Sequence, residues 1–390
     1  MGRSTEVTVI NVSDQQEVEG WTFGDLVNYF ADEKRLKVVE QIRQQSFRDT
    51  ESSQIRIINQ VSFEFSDTPL AECVTSPQYV REIDWMKNAW PLQYQPPIIN
   101  STKRKRERDN IYYPLMQYYC ITSSACAYMD FHIDVGGTSF WYHLVSGRKQ
   151  FILIEPTHDN LVQYENWASS DSKALIFLPD LIKDKSTIIH LQVNEHETII
   201  VPSGWIHSVY TQWDSLAFGG NFLHGYSTDM QNKINEMEIR SLVSDKFRCP
   251  YFNITNVFST NMYLDKLQLI IAGEEKIDII SNRELEQLAF AVEYIVSEYI
   301  VVLKSKKNSS TVMHHLATIC GNYNSVYDEP NFEDAVKYVL QHQKCDSLKE
   351  VLIKLYSSLA AVYNKRNLED CYYDDSVIID VNSRSNKWSV

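Results

Sequence analysis

The sequence predicts a mainly β protein, an antiparallel jelly roll with helical additions. Residues 112–225 are short apolar runs separated by Gly, Pro, Asp and Asn, the pattern of antiparallel strands and turns. After about residue 227 the apolar spacing becomes that of amphipathic helices. The chain has 390 residues, which is enough for a large β core and a helical domain.

The N-terminal part, residues 1–110, is predicted to be a mixed α/β segment that packs on the β core. Residues 6–12 alternate like a strand, and Thr22 precedes apolar residues at helical spacing. Residues 54–67 are again strand-like. The basic block at 100–110 predicts an exposed loop, with a nuclear localisation signal as the alternative.

Three further segments complete the predicted organisation. Residues 111–228 form the jelly roll, and residues 229–370 form a C-terminal helical domain. Ser281 and Glu284 have the spacing of a capping box at the start of a long amphipathic stretch. Residues 371–390 are rich in Asp, Asn and Ser and are predicted to be a flexible tail.

The composition narrows the classes of partner. The chain has 37 Lys and Arg against 51 Asp and Glu, a net charge of −14, which disfavours general nucleic-acid binding and suits a basic peptide. The seven cysteines are never spaced CxxC, so neither a disulfide framework nor a zinc finger is predicted. No run of about 18 apolar residues occurs, so no membrane segment is expected.

A His-x-Asp triplet and a second histidine predict a metal site. His132 and Asp134 lie two residues apart on an apolar run, so both face one side of a strand. Alone, such a pair is more often hydrogen-bonded structure. A strand and a Pro-Ser-Gly turn lead to His207, which would return to the barrel interior. Two histidines and one carboxylate on one face are typical of non-haem Fe(II) oxygenases.

Lys149 and a glycine pair add to this pattern. Lys149 alternates with apolar neighbours, so it could point inward, where a buried ammonium is costly unless it meets an anion. A dicarboxylate bound to the iron would supply that anion, whereas the alternative is an exposed lysine on an edge strand. Gly219 and Gly220 predict a bulge or a close backbone approach near the pocket.

Two stretches, residues 118–157 and 198–224, resemble JmjC-domain lysine demethylases, and most closely the lysine-specific demethylase 7 group. The similarity covers roughly residues 7–237. It implies the JmjC double-stranded β-helix with Fe(II), and 2-oxoglutarate and O₂ as cosubstrates. The implied activity is demethylation of mono- and dimethylated repressive-mark lysines on the histone H3 tail, by N-methyl hydroxylation with formaldehyde release, in the nucleus.

The resemblance also implies roles for particular residues. The iron ligands and catalytic residues would be His132, Asp134 and His207. Lys149 and Tyr142 would hold the distal carboxylate of 2-oxoglutarate. The methyl-lysine pocket would be lined by Tyr119, Ile206 and Asn221.

Two departures from the family pattern leave other functions open. Met129 stands where the family has a Thr that contributes a hydroxyl to the cosubstrate carboxylate. The paired cysteines of a PHD finger do not occur, so a separate chromatin reader protein is expected to recruit the chain. The alternatives are a hydroxylase of protein side chains and a catalytically weak or inactive chromatin scaffold. No sequence-specific nucleic-acid binding is expected.

Overall fold

The computed structural model describes most of the chain. The described residues are 2–43, 57–60, 63–66, 68–95, 113–276, 280–281, 283–285, 287 and 332–369. The basic block at 100–110, most of the stretch that follows the Ser281 capping box, and the tail at 371–390 lie outside these residues.

The described strands and helices follow the predicted change from strands to helices. The strands are β1 (Val9–Asn11), β2 (Gln16–Val18), β3 (Ile58–Gln60), β4 (Phe63–Glu64), β5 (Tyr119–Ser123), β6 (Tyr128–His132), β7 (Ser139–Ile154), β8 (Ile188–Asn194), β9 (Thr198–Val201) and β10 (Ile206–Phe222). The helices with described bounds are α1 (Phe23–Ala31), α2 (Glu33–Arg43), α3 (Gln78–Ile83), α4 (Trp85–Asn88), α5 (His158–Ala168), α6 (Leu178–Leu181), α7 (Thr228–Arg240), α8 (Phe252–Ala272), α9 (Phe332–Gln343) and α10 (Leu348–Glu369).

The strands form one antiparallel sheet. Its order is β2-β1-β3-β5-β10-β7-β8, with β4 on β5, β6 on β10 and β9 on β7. The first half of β10 pairs with β6 and the second half with β5, and register shifts between Thr211 and Leu216 separate the two halves. Such irregularities bend a strand and increase its twist. The predicted mainly β jelly-roll core with helical additions is confirmed.

Two apolar clusters lie on opposite sides of the long strands. One contains Phe140, Tyr142, Leu144, Phe151 and Leu153 of β7, with Val193, Val201 and Ala217 from neighbouring strands. The other contains Phe131, Ile154, Trp167, Leu178, Ile182 and Ile206. Successive strand residues point to opposite faces, so neighbours in sequence, such as Leu153 and Ile154, join different clusters.

The chain divides into two compact units. The first is Met1–Asp84, Pro114–Leu223 and Met230–Pro250, and the second is Trp85–Tyr113, His224–Asp229 and Tyr251–Val390. The first unit holds the sheet, and the second holds α4, α8, α9 and α10. The domain boundaries at residues 110, 228 and 370 stay a prediction. No described helix is long and apolar enough to cross a membrane.

Capping hydrogen bonds are present at two predicted helix starts. The Thr22 hydroxyl accepts from the Asp25 N–H at 3.3 Å, and the Asp25 carboxylate accepts from the Thr22 N–H at 3.0 Å. Ser281 and Glu284 exchange the same pair of bonds at 3.2 and 3.0 Å. Each pair satisfies backbone donors that lack a partner inside the helix.

Candidate metal centre and cosubstrate pocket

Two strands bring the two histidines together. His132 ends β6 and lies opposite His207, near the start of β10, in the antiparallel register. The centroids of their imidazole rings are 4.2 Å apart. Directly opposed residues of an antiparallel pair share one face of the sheet, and therefore both rings point to the same space.

Asp134 completes a three-residue cluster. Its Oδ1 lies 3.8 Å from Nε2 of His132 and 3.8 Å from Nε2 of His207. One ligand atom from each residue lies within 4.8 Å of the other two. Atoms that each bind one ion at about 2.1 Å can be no more than about 4.2 Å apart, so both measured distances suit a shared ion. The cluster has the donor set of a facial Fe(II) site.

Backbone carbonyls orient both imidazoles. Nδ1 of His132 lies 2.8 Å from the Asp130 carbonyl, and Nδ1 of His207 lies 3.1 Å from the Trp205 carbonyl. A carbonyl only accepts, so each Nδ1 carries a hydrogen, and Nε2 is the nitrogen that a neutral ring offers to a metal. Burial lowers the pKa of His207 to about 4, and this imidazole is therefore neutral near pH 7.

Asn221 contacts the candidate ligand Asp134. Its Nδ2 donates to Asp134 Oδ2 at 2.7 Å and to the Thr138 hydroxyl at 2.9 Å. One oxygen of Asp134 is thus held by Asn221, while the other faces the histidines. The sequence predicts Asn221 in a substrate pocket but does not predict this bond, because the two residues meet only through the sheet register.

A cavity of about 140 Å³ joins this cluster to Lys149. Lys149 is 3% exposed, and its Nζ donates to the Ser123 hydroxyl at 2.8 Å. The ammonium also lies 5.6 Å from the centroid of the Tyr142 ring. Burial lowers the pKa of Lys149 to about 7. The inward direction predicted for this lysine agrees with its place in the structure.

Two polar groups at the cavity lack partners. The Tyr142 hydroxyl and Asn59 Oδ1 are buried and have no hydrogen-bond partner among the described residues. Both residues line the same cavity as Lys149. Buried polar groups are normally paired, so unpaired ones in a cavity indicate a ligand. The Lys149 ammonium and the Tyr142 hydroxyl are donors, which suits a carboxylate.

The remaining predicted residues lie in different places. Tyr119 and Met129 line the cavity. Burial raises the pKa of Tyr119, which keeps its phenol protonated. Ile206 is fully buried in the apolar cluster that contains Phe131, and it is not among the cavity-lining residues. It adjoins His207 on β10, so its side chain points to the opposite face.

Gly219 and Gly220 form the predicted close approach. A Cβ on Gly220 would lie 1.9 Å from the Gln117 carbonyl oxygen, and one on Gly219 would lie 2.7 Å from the Trp141 carbonyl oxygen. Both glycines line the cavity. The backbone therefore passes where no side chain fits.

Gly220→Ala is expected to lower the free energy of unfolding by about 1–3 kcal/mol, because the new methyl group must displace backbone. Urea-induced unfolding measures the change. Gly2→Ala is the control, since the nearest atom to its added Cβ is 3.7 Å away. Equal stability of the two variants would contradict the close approach at Gly220.

The region that is similar to known proteins contains the residues of this site. Residues 119–222 match the family model described as "JmjC domain, hydroxylase". This segment is therefore similar to JmjC domains. It contains the whole metal cluster together with Lys149 and Tyr142.

Curated relatives extend the similarity beyond the JmjC domain. Lysine-specific demethylase 2A of Xenopus tropicalis is 41% identical over 206 residues, 53% of this chain and 18% of that protein. Lysine-specific demethylase 7A of Mus musculus is 35% identical over 254 residues, 63% and 25% of the two chains. Histone lysine demethylase PHF8 of Danio rerio is 36% identical over 252 residues, 65% and 21%. The matches thus span a quarter or less of each relative.

Proposed function

We propose that this chain is an Fe(II)- and 2-oxoglutarate-dependent demethylase of histone lysines. The proposal is carried by the cluster of His132, Asp134 and His207, which shares one cavity with Lys149. The Lys149 ammonium donates to the neutral Ser123 hydroxyl, so an anion suits this cavity. The relatives named as lysine and histone lysine demethylases support a methylated histone lysine as substrate.

The donor set fits both groups. His132, Asp134 and His207 would hold Fe(II), while Lys149 and Tyr142 would hold the distal carboxylate of 2-oxoglutarate. When bound, iron and cosubstrate would supply an oxidation in which 2-oxoglutarate loses CO₂ and takes one oxygen atom of O₂ to become succinate, while the other oxygen atom is inserted into an N-methyl C–H bond. The resulting hydroxymethyl amine releases formaldehyde, so the lysine loses one methyl group.

The protein's own groups prepare this cavity. The carbonyls of Asp130 and Trp205 keep both Nε2 lone pairs directed at the metal position. The Ser123 hydroxyl orients the Lys149 ammonium, and the Tyr142 hydroxyl is free to donate to a carboxylate. Burial strengthens these contacts because little water competes with them.

The net charge of the chain and the aromatic wall of the cavity support the proposed substrate class. Tyr119 would present its ring to a methylammonium, which binds favourably over aromatic faces. Asn221 would contact the substrate, and its hydrogen bond to Asp134 would also hold that ligand. The net charge of −14 suits a basic peptide such as the histone H3 tail, with mono- or dimethylated repressive-mark lysines as substrates.

We propose a nuclear location for this activity, because its proposed substrates are histones. We propose a separate chromatin reader as a partner, because the seven cysteines lack the paired spacing of a PHD finger. Neither sequence-specific nucleic-acid binding nor membrane association is part of this proposal.

Mass spectrometry of methylated histone H3 peptides tests the proposed function. We expect the loss of one methylene mass per methyl group, with an equal amount of formaldehyde, and no reaction by His132→Ala. A gain of one oxygen mass on an unmethylated residue would instead indicate a side-chain hydroxylase, the activity named in the description of the matching family. No product with any peptide would favour the inactive scaffold, for which Met129 is the supporting observation.

Met129→Thr is expected to bind 2-oxoglutarate more tightly. A thioether cannot donate, and a hydrogen bond to a charged group is worth about 1.5–3 kcal/mol, or about ten- to hundredfold in affinity. Calorimetric titration checks the affinity, with Met262→Thr on α8 as the control. Unchanged affinity in Met129→Thr would show that another group supplies the hydrogen bond.

The affinity for 2-oxoglutarate is expected to fall as pH rises above about 7. Burial lowers the pKa of Lys149 to about 7, so the binding-competent ammonium is lost above this pH. Below it the lysine is already charged, and affinity changes little. The loss approaches about tenfold per pH unit, because binding must then take up one proton. Titrations from pH 6 to 9 should show this slope, and Lys149→Met should remove it.

A further inference from the structure

The turn that follows β6 places Asp134 outside the strands. His132 and His207 lie within β6 and β10, whereas Asp134 precedes a tight turn at Val135–Gly137. The Gly137 N–H donates to the Asp134 carbonyl at 3.0 Å and closes this turn. The direction of the carboxylate therefore depends on what holds the turn.

The turn packs tightly against α7. Gly136 and Gly137 are buried and have φ of 58° and 61°, in the left-handed region that favours glycine. A Cβ on Gly137 would lie 2.8 Å from Cβ of Ile234. The helix thus contacts the turn directly, with no space for another side chain.

Glu238 of α7 supplies the polar contact to this turn. It is 8% exposed, and its Oε1 accepts from the Gly136 N–H at 2.7 Å. Removing that acceptor would leave a buried N–H unpaired, which is costly. Glu238 Oε2 has no hydrogen-bond partner among the residues that the structure describes, so the side chain contacts the turn through Oε1.

We propose that Glu238 is a positioning residue that fixes the Asp134 carboxylate for metal binding through the Gly136 N–H. The inference rests on the proposed metal site and names a residue outside the JmjC segment at 119–222. Asn221 holds one oxygen of Asp134 from the side, while Glu238 holds the backbone that carries it. Both constraints are needed because Asp134 has no strand ladder around it.

The contact needs an acceptor rather than a charge. Burial raises the pKa of Glu238 to about 8, so much of the side chain is protonated at neutral pH. Oε1 accepts from the Gly136 N–H in either protonation state, as a carboxylate oxygen or as the carbonyl oxygen of the acid. Glu238→Gln keeps that oxygen, whereas Glu238→Met keeps a similar volume and loses it.

The proposal is tested by titrating the protein with Co(II) in the absence of cosubstrate. The visible absorption of the bound Co(II) reports the binding. We expect Glu238→Met to bind Co(II) about 10–100-fold more weakly with an altered spectrum, as is typical when support for a metal ligand is lost. Glu238→Gln should recover most of the affinity. Lys233→Ala, an exposed position on the same helix, is the control and should match the unmodified chain.

Other outcomes would overturn the inference. Equal Co(II) affinity of the Met and Gln variants would do so, as would an unmodified chain that binds no Co(II). Circular dichroism and thermal unfolding separate misfolding from a local effect, and equal losses of stability and affinity in both variants would also count against a positioning role. Peptide demethylation by the unmodified chain is measured in parallel. A chain that binds Co(II) but does not demethylate would contradict the proposed function and leave the Glu238 comparison valid.

Discussion

His207→Ala is expected to abolish iron-dependent turnover while the fold stays intact. His207 supplies one of three candidate ligand atoms, and its Nε2 lies 3.8 Å from Asp134 Oδ1. Loss of a group that merely supports a ligand lowers metal affinity about 10–100-fold, so loss of a ligand should lower it further. An open-sided metal site adds less to folding than a closed structural one, and we therefore expect little change in circular dichroism. Turnover is measured as succinate formed.

His190→Ala is the matched control for this prediction. His190 is an exposed histidine on β8, away from the cluster. It should retain the succinate yield of the unmodified chain. Substantial turnover by His207→Ala at saturating Fe(II) would remove this histidine from the metal site.

Lys149→Ala is expected to raise the KM for 2-oxoglutarate by about ten- to hundredfold or more, with a smaller effect on kcat. The variant removes the buried ammonium that would pair with the distal carboxylate. A hydrogen bond to a charged group is worth about 1.5–3 kcal/mol, which corresponds to that change in affinity. Steady-state succinate formation over a range of 2-oxoglutarate concentrations gives both constants.

Arg148→Ala tests whether the effect is specific to the inward-facing cation. Arg148 precedes Lys149 on β7, but its guanidinium lies 4.6 Å from the centroid of the Trp213 ring. Trp213 is 51% exposed, so this cation is on the outer side of the sheet. The KM of Arg148→Ala for 2-oxoglutarate should stay near that of the unmodified chain. Equal KM values for Lys149→Ala and the unmodified chain would contradict the assigned role of Lys149.

The sequence was sufficient for the parts of the site that depend on alternation within one strand. Lys149 alternates with apolar residues on β7, so its inward direction follows from strand geometry. The two-glycine segment likewise indicated a close backbone approach. These features are local, and each agrees with its place in the structure. The predicted strand position of Asp134 is wrong, because β6 ends at His132 and Asp134 lies in the turn that follows.

Contacts between distant segments could not be predicted in the same way. Asn221 reaches Asp134, and Ser123 reaches Lys149, only because β10, β7 and β5 have a particular register. A shift of one residue would turn each side chain to the other face. The placement of Ile206 shows this dependence, because its neighbour His207 faces the cavity and Ile206 does not.

The contact that α7 makes with the turn after β6 could not be predicted from the sequence either. Glu238 lies on α7, and nothing in its local spacing distinguishes it from other acidic residues of that helix. Its bond to Gly136 depends on how α7 packs against the turn after β6. Sequence patterns give the helix and its apolar side, but they do not give the residue that a distant turn will meet.

Anaerobic addition of Fe(II) and 2-oxoglutarate tests the central claim most directly, because it asks whether one cavity holds both. We expect a weak visible charge-transfer band that requires both components, is absent in His207→Ala, and needs more 2-oxoglutarate in Lys149→Ala. The absence of any band in the unmodified, folded protein at saturating Fe(II) and 2-oxoglutarate would contradict the assignment of His132, Asp134, His207 and Lys149 to one site.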